Sequence, residues 1–339
     1  MNLLGRLIRM WRPYRVRSHP LSREEIIGRC GHVTGTYREL GLVSPFSTYR
    51  KVVDALIANT SIEVRPMNRL MAPAGKDKAV VALRHDLDGD VVTGVRSARY
   101  LASKGLPGSF YLLHTAHYYG TVENNVFRRF AGLESFVAEF VATGCELGLH
   151  TDPLSLYCTH RIDGAEAVRT EIAWLRSLGA NLSGTVAHNS AIVFGAENFE
   201  IFRRRGIGNR RRFSCQGQNV PLQALDEQKL GLTYEGNYPV LPDALDPDKV
   251  AAYMDLSKGD CVRDPEWLRY YFLENPFFGR AYDVDIWLLA RDAWVIAKRG
   301  GDGGVRWPVN TEDLLLYLGR LDEGVRAVVC IHPEYVSGD

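Results

Sequence analysis

The stretch Val80-Val-Ala-Leu-Arg-His-Asp-Leu-Asp-Gly89 joins a strand-length apolar run to a group of charged residues. Further strand-length apolar runs follow it, and helical patterns separate them. The apolar runs lie at 109–113, 185–187 and 326–331, and the helical patterns at 95–103, 133–143, 163–178 and 311–323. This alternation is typical of a βα-repeat fold with a parallel sheet. The sequence therefore predicts an α/β fold.

The first 75 residues differ from this pattern, because their apolar residues have helical spacing. Ser22-Arg-Glu-Glu25 has the pattern of a capping box at the start of a helix. We therefore predict a helical N-terminal region at 1–75 and a βα domain at 76–339. Within that domain, the Trp-rich stretch 286–297 could form two strands that turn at Arg291-Asp292.

The composition excludes some classes of protein. The chain of 339 residues carries 41 Lys and Arg against 40 Asp and Glu, so no global field steers it onto nucleic acid, and we expect no nucleic-acid partner. No apolar run approaches the roughly 18 residues of a membrane span. The six cysteines form no C-x-x-C pair, which predicts reduced, mostly buried thiols. Together with the lack of a secretory-signal pattern, these features predict a cytoplasmic protein.

The segment 1–18 interleaves apolar side chains with five arginines and contains no acidic residue. Such a segment could lie on an anionic membrane, which would place the protein at the inner face of the membrane. Alternatively, it docks on the body of the protein as a first helix. The sequence leaves both possibilities open.

Polar residues follow four apolar steps of the sequence, at 80–83, 147–149, 185–187 and 328–331. They are Asp86, Asp88, His150, Asp152, His188 and His332. The carboxyl ends of parallel strands meet at one edge of the sheet, where such folds form their ligand sites. A structural hydrogen bond would explain any one of these histidines, but four such endings predict a divalent-metal site. Nitrogen and carboxylate ligands with one open position suit a hydrolytic Zn²⁺ ion.

Three motifs in the same order resemble those of the polysaccharide deacetylases, in the branch whose first motif is R-H-D-x-D. They are Arg84-His85-Asp86-Leu87-Asp88, Gly144-Cys-Glu-Leu-Gly-Leu-His150 and the apolar run that ends at His332. The resemblance implies a distorted (β/α)₇ barrel with a helical N-terminal extension. It also implies a metal-dependent hydrolase that removes an N-acetyl group from a glycan or nucleotide-sugar intermediate of surface polysaccharide biosynthesis.

The resemblance implies a role for each matching residue. Asp86 would be the general base and His332 the general acid, while Asp88 and His150 would be metal ligands. The family's second motif usually ends in a further histidine, and Leu154 occupies that position here.

The third ligand therefore stays open between Asp152 and His188, and Zn²⁺ is the expected metal. Arg84, Asn189 and Tyr118 are expected to contact the carbohydrate substrate.

Two arginine triplets, 203–205 and 210–212, flank Gly206-Ile-Gly208. They could clamp a substrate phosphate, since guanidinium pairs bidentately with phosphate, or they could form a solvated loop.

Two other functions stay open beside the metal-dependent hydrolase. One is a metal-free amidohydrolase on the same barrel, and the other is a non-catalytic protein that binds glycan or lipid.

Overall fold

The computed structural model describes residues 13–189, 198–202, 213–215, 218–220, 224–236, 282–298 and 305–338. Fifteen strands lie within these ranges: β1 Val16–His19, β2 Ile62–Arg65, β3 Ala79–Leu87, β4 Ser109–Leu113, β5 Gly120–Glu123, β6 Val126–Phe130, β7 Glu146–Thr151, β8 Gly184–Ala187, β9 Phe213–Cys215, β10 Gln218–Val220, β11 Tyr234–Glu235, β12 Val284–Ala290, β13 Ala293–Lys298, β14 Val305–Val309 and β15 Arg326–Ile331.

Seven α-helices lie in the same ranges: α1 Arg23–Glu39, α2 Phe46–Ala58, α3 Val91–Ser103, α4 Leu133–Thr143, α5 Pro153–His160, α6 Gly164–Ser177 and α7 Thr311–Leu318. Within the part of the chain that is described, no helix has both the length and the apolar character that a membrane span requires.

A ten-stranded sheet forms the centre of the molecule. Its order is β11-β8-β7-β4-β3-β15-β12-β13-β14, with β2 also paired to β3. The pairs from β11 to β12 are parallel, as is β2 with β3, whereas β12, β13 and β14 pair antiparallel. The predicted α/β fold is confirmed as a mixed α/β fold with one large sheet. The two predicted strands on either side of Arg291-Asp292 are also confirmed, as β12 and β13.

The nine residues of β3 are all buried, because the strand is covered on both faces. On one face, Val81 and Leu83 pack in the main core together with residues of the helices. On the other face, Val80 and Ala82 join a smaller inner cluster with Tyr111, Val186 and Val328 from three neighbouring strands. This inner face leads directly to the polar ends of the strands.

The N-terminal region contains strands as well as helices. The helix α1 begins at the predicted capping box, in which the Ser22 hydroxyl accepts from the Glu25 backbone and the Glu25 carboxylate accepts from the Ser22 backbone. The strand β1 pairs with β6 in a small three-stranded sheet, and β2 pairs with β3. Because these strands pair with strands beyond residue 76, the region 13–75 is more than a helical extension.

Two local expectations from the sequence need correction. Helix α7 begins at Thr311 as the sequence pattern predicts, with Asn310 as its N-cap, whose side chain accepts from the Asp313 backbone. The helix ends at Leu318, before Gly319, and does not continue to 323. Cys158 is disulfide-bonded, so the expectation of reduced thiols is wrong for this residue. The thiols of Cys30, Cys145 and Cys330 are free and buried, as expected.

Candidate metal centre

The polar residues reach one site because of the two-residue period of a strand. Every second side chain along a strand lies on the same face, so residues two, four and six positions beyond an inner-cluster residue continue that face. Ala82 is followed in this way by Arg84, Asp86 and Asp88, and Val186 is followed by His188. On β15, Val328 is followed by Cys330, and His332 comes directly after the strand ends at Ile331.

Seven of the nine residues that the sequence predicted for the site line one cavity of about 460 Å³. They are Arg84, Asp86, Asp88, His150, His188, Asn189 and His332. Asn189 lies exposed at the edge of this cavity. The two remaining residues, Asp152 and Tyr118, are placed elsewhere.

Asp88, His150 and His188 form a triad that could hold a metal ion. One potential ligand atom from each residue lies within 4.8 Å of the other two. The Oδ1 of Asp88 is 3.2 Å from Nε2 of His150, and its Oδ2 is 3.6 Å from Nε2 of His188. The His150 side chain is almost fully buried, while those of Asp88 and His188 keep about a quarter of their surface exposed. One side of the triad therefore remains open to the cavity.

The hydrogen bonding of His150 fixes which of its nitrogens faces the triad. Its Nδ1 lies 2.8 Å from the backbone oxygen of Val186, which can only accept, so Nδ1 carries the proton. The lone pair of a neutral His150 then points from Nε2 toward Asp88 Oδ1, which is buried and has no hydrogen-bond partner among the described residues. Two acceptors that face each other at this distance fit a bound cation.

Asp152 lies behind His188 and is not part of the triad. Its Oδ2 is 3.4 Å from Nδ1 of His188, on the side of the ring that faces away from Asp88. The carboxylate is buried, and it accepts hydrogen bonds from Thr115 at 3.0 Å and from Asn198 at 2.9 Å. Of the two candidates for third ligand, His188 therefore lies in the triad, and Asp152 has the position of a carboxylate that orients a ligating histidine.

The electrostatics around His188 favour a positive charge in the triad. Burial by itself lowers the pKa of His188, but the carboxylates of Asp88 and Asp152 outweigh burial and raise the pKa well above its usual value. Burial likewise opposes ionisation of Asp88, but His188 and His150 hold the pKa of its carboxyl well below the usual range. The field that favours an imidazolium here also favours a metal cation.

A second group, formed by Asp86, Cys330 and His332, lies directly beside the triad. The Oδ2 of Asp86 is 3.8 Å from Nε2 of His150, and Nε2 of His332 is 3.5 Å from Oδ2 of Asp88. The thiol of Cys330 lies 3.6 Å from Oδ2 of Asp86. Each predicted catalytic residue is thus adjacent to a member of the triad.

Arg84 holds Asp86 in its ionised form. Its Nε and its terminal Nη2 donate to the carboxylate, at 2.9 and 2.6 Å for the shortest contacts. Burial opposes ionisation of Asp86, but the charges of Arg84 and His150 dominate and lower its pKa to about 2. Arg84 was expected to contact substrate. It does line the cavity, and its guanidinium also forms this ion pair.

The second residue of the first motif, His85, points away from the cavity. Its ring is stacked on Phe110 with 4.1 Å between centroids, and its nitrogens contact the Ser109 backbone oxygen and the Tyr49 hydroxyl. Burial lowers its pKa to about 4, which keeps the imidazole neutral at pH 7. His85 therefore anchors β3 to β4 and α2.

Tyr118 does not lie on the cavity surface. It is fully buried, and its hydroxyl donates to the backbone oxygen of Leu87 while accepting from the Leu113 backbone. This residue joins the end of β3 to the end of β4, so the prediction that it contacts substrate disagrees with its position. The arginine triplets at 203–205 and 210–212 lie outside the described residues, as does 1–12.

Sequence reasoning missed several residues of the site. Asn198 bridges the Asp152 carboxylate and the backbone oxygen of His188, at 2.9 and 2.6 Å. No local pattern identifies Asn198, because its role depends on a chain segment that returns to the strand ends. Cys330 could have been found from its position two residues before His332, and Trp287 and Leu289 from their spacing of two residues along β12.

Comparison of the chain with protein-family models, with curated proteins and with solved structures gives no match. The fold and the site themselves define an α/β protein whose strand ends carry clusters of carboxylate and histidine that could hold a metal ion.

Proposed function

We propose that this protein is a metal-dependent hydrolase that removes an N-acetyl group from a sugar. The substrate is a glycan or a nucleotide-sugar intermediate of surface polysaccharide biosynthesis, and the fold is a distorted (β/α)₇ barrel of the polysaccharide deacetylase type. The resemblance of the three sequence motifs supports the substrate class and the barrel. The observation that carries the proposal is the triad of Asp88, His150 and His188 beside a buried, ionised Asp86.

The residues of the triad would hold a divalent metal, with Zn²⁺ as the expected ion. One carboxylate and two imidazoles are a common set of protein ligands for catalytic zinc. When bound, the ion polarises the amide carbonyl and lowers the pKa of water.

Asp86 and His332 divide the proton transfers between them. Asp86, ionised beside Arg84, accepts a proton from the attacking water at a carboxylate oxygen. His332, protonated on Nε2, donates its proton to the nitrogen of the leaving amine. Water thus adds its hydroxyl to the carbonyl carbon, the C–N bond breaks, and acetate and a free amine leave.

Burial lowers the pKa of the His332 imidazole on balance, although the carboxylates of Asp88 and Asp86 oppose this effect. A lower pKa makes the imidazolium a stronger proton donor, which suits the role of general acid. The His332 side chain is about a quarter exposed, so it can reach a substrate in the cavity.

The experiment that tests the proposal is an assay of acetyl release. Purified protein is incubated with N-acetylated nucleotide sugars and glycans, with added Zn²⁺ or after chelation, and the products are weighed by mass spectrometry. We expect loss of acetyl that requires the metal and that the Asp86→Asn variant abolishes or lowers by a factor of about 10² to 10⁴. Acetyl release that is equal after chelation, or no release from any substrate in the panel, would contradict the proposal.

A further inference from the structure

The cavity in front of the triad is larger than an acetyl group requires. Its volume of about 460 Å³ falls in the range of roughly 300 to 1,000 Å³ that is usual for pockets holding whole small molecules. The triad and Asp86 form one part of the cavity lining. The next strands in the sheet order after β3, β15 and β12, form the adjoining part, and its chemistry differs.

Most side chains on this part of the lining are apolar. Trp287, Leu288 and Leu289 of β12 line the cavity, and Trp287 is the register partner of Cys330 on the neighbouring parallel strand. Asp285, two residues before Trp287 on β12, also lines the cavity, and its buried carboxylate limits the apolar surface at that end.

Trp287 and Cys330 belong to one apolar cluster with Val295, and Leu289 packs against this cluster. We call Trp287, Leu289 and Cys330 the apolar wall.

The apolar wall begins directly beside the reacting groups. Cys330 Sγ lies 3.6 Å from Oδ2 of Asp86, and Asp86 Oδ2 lies 3.8 Å from Nε2 of His150. A group attached to a carbonyl carbon beside Asp86 would therefore lie next to Cys330, the first residue of the apolar wall.

The burial of the wall residues indicates which part of the substrate would contact them. Trp287 and Cys330 are only 8% and 6% exposed, whereas Asn189 at the edge of the cavity is exposed. The hydroxyl groups of a sugar would lose water against an apolar surface without gaining partners. The sugar therefore stays at the opening, and the acyl group extends inward.

Building on the proposed function, we infer that the acyl subsite of this enzyme accepts linear apolar acyl chains longer than acetyl, which pack along Trp287, Leu289 and Cys330. Burial of each methylene group contributes about 0.8 kcal/mol, which is about a fourfold gain in affinity. The wall thus discriminates between substrates by the length of their acyl chain.

A series of linear alkyl hydroxamates tests this inference by binding alone. Acetohydroxamate, butanohydroxamate and hexanohydroxamate share one metal-binding group, so differences in their affinities for the zinc-loaded full chain report the alkyl chain. Isothermal titration calorimetry should show affinity rising about fourfold per methylene until the wall is covered. In the Leu289→Asn variant, affinity should rise less with chain length, because the substitution removes part of the apolar wall. Leu316→Asn, at a 58% exposed leucine on α7, is the matched control and should leave the series unchanged.

Equal or falling affinity with chain length would overturn the inference, as would a slope that Leu289→Asn leaves unaltered or the absence of any hydroxamate binding. The acetyl-release assay separates this inference from the proposed function. Chain-length dependence without hydrolysis of any N-acyl sugar keeps the subsite and refutes the proposed function. Acetyl release together with a flat hydroxamate series keeps the function and refutes the subsite.

Discussion

Nε2 of His150 lies 3.2 Å from Oδ1 of Asp88, while Nδ1 of the same ring donates to the backbone oxygen of Val186. The contact is stable only with a positive charge between the two atoms, which is either a second proton on the imidazole or a metal ion. His188 approaches the other oxygen of Asp88 with its own Nε2. Two imidazole nitrogens that converge on one carboxylate form a ligand set that suits a divalent ion.

Asp152 should tune the affinity for metal without being a ligand. Because its carboxylate faces Nδ1 of His188, Asp152→Asn should weaken zinc binding by a factor of about 10 to 100, as is usual for carboxylates behind a ligating histidine. Competition with a fluorescent zinc chelator measures the affinity. The comparison is Asp88→Asn, which removes a proposed ligand and should weaken zinc binding far more than Asp152→Asn does. Equal losses for the two variants would make Asp152 a ligand.

Arg84 should set the acid limb of the pH profile. Its guanidinium lowers the pKa of Asp86, so in Arg84→Gln that pKa rises and the acid limb of kcat/KM moves to higher pH. Arg84→Lys keeps the positive charge without the paired donors and should move the limb less. The profile is measured on the substrate that releases acetyl in the mass-spectrometric assay. An acid limb that Arg84→Gln leaves in place would show that Asp86 is not the base.

His85 should matter for stability and not for metal binding. His85→Ala removes a buried ring stacked on Phe110 and leaves the Tyr49 hydroxyl without its partner, which should cost on the order of 3 kcal/mol in the free energy of unfolding. Urea denaturation measures this loss. The folded variant should still bind zinc with the wild-type affinity, and a loss of zinc without a loss of stability would assign His85 to the site.

The membrane prediction for residues 1–18 can now be tested with a better truncation. Tyr14 is buried and donates to Glu171 at 2.7 Å, and β1 pairs with β6, so a deletion through 18 would remove part of the fold. Deletion of 1–12 should spare these contacts.

We predict that this shorter deletion lowers cosedimentation with anionic liposomes, and that salt weakens the binding of the full chain, since the attraction of arginine to lipid is screened. Equal cosedimentation of both proteins would assign the segment to the fold.

The sequence was sufficient to predict which residues meet near the carboxyl ends of the strands: Asp86, Asp88, His150, His188 and His332 line one cavity. The two-residue period of a strand and the geometry of parallel strands bring these side chains together. The strand ends themselves differ from the prediction, because β3 continues to Leu87 and β7 to Thr151, past Asp86 and His150.

The choice between Asp152 and His188 required the structure. Strand parity alone would place the Asp152 side chain on the same face as His150, but β7 ends at Thr151 and α5 begins at Pro153. The backbone at Asp152 leaves the strand conformation there, with ψ at 54°, and its carboxylate lies behind His188.

The prediction that Tyr118 contacts substrate disagrees with its buried position. It rested on the proximity of Tyr118 to the motifs in sequence, and such proximity does not determine the direction of a side chain.

The measurement that tests the central claim most directly is the zinc content of the purified protein and of two histidine variants. Elemental analysis should find about one zinc per chain in the wild type, none retained in His188→Ala, and the wild-type amount in His332→Ala, because His332 lies beside the triad without belonging to it. A wild-type protein without metal above background, or a His188→Ala variant that retains it, would contradict the metal centre and leave a proton as the charge between His150 and Asp88.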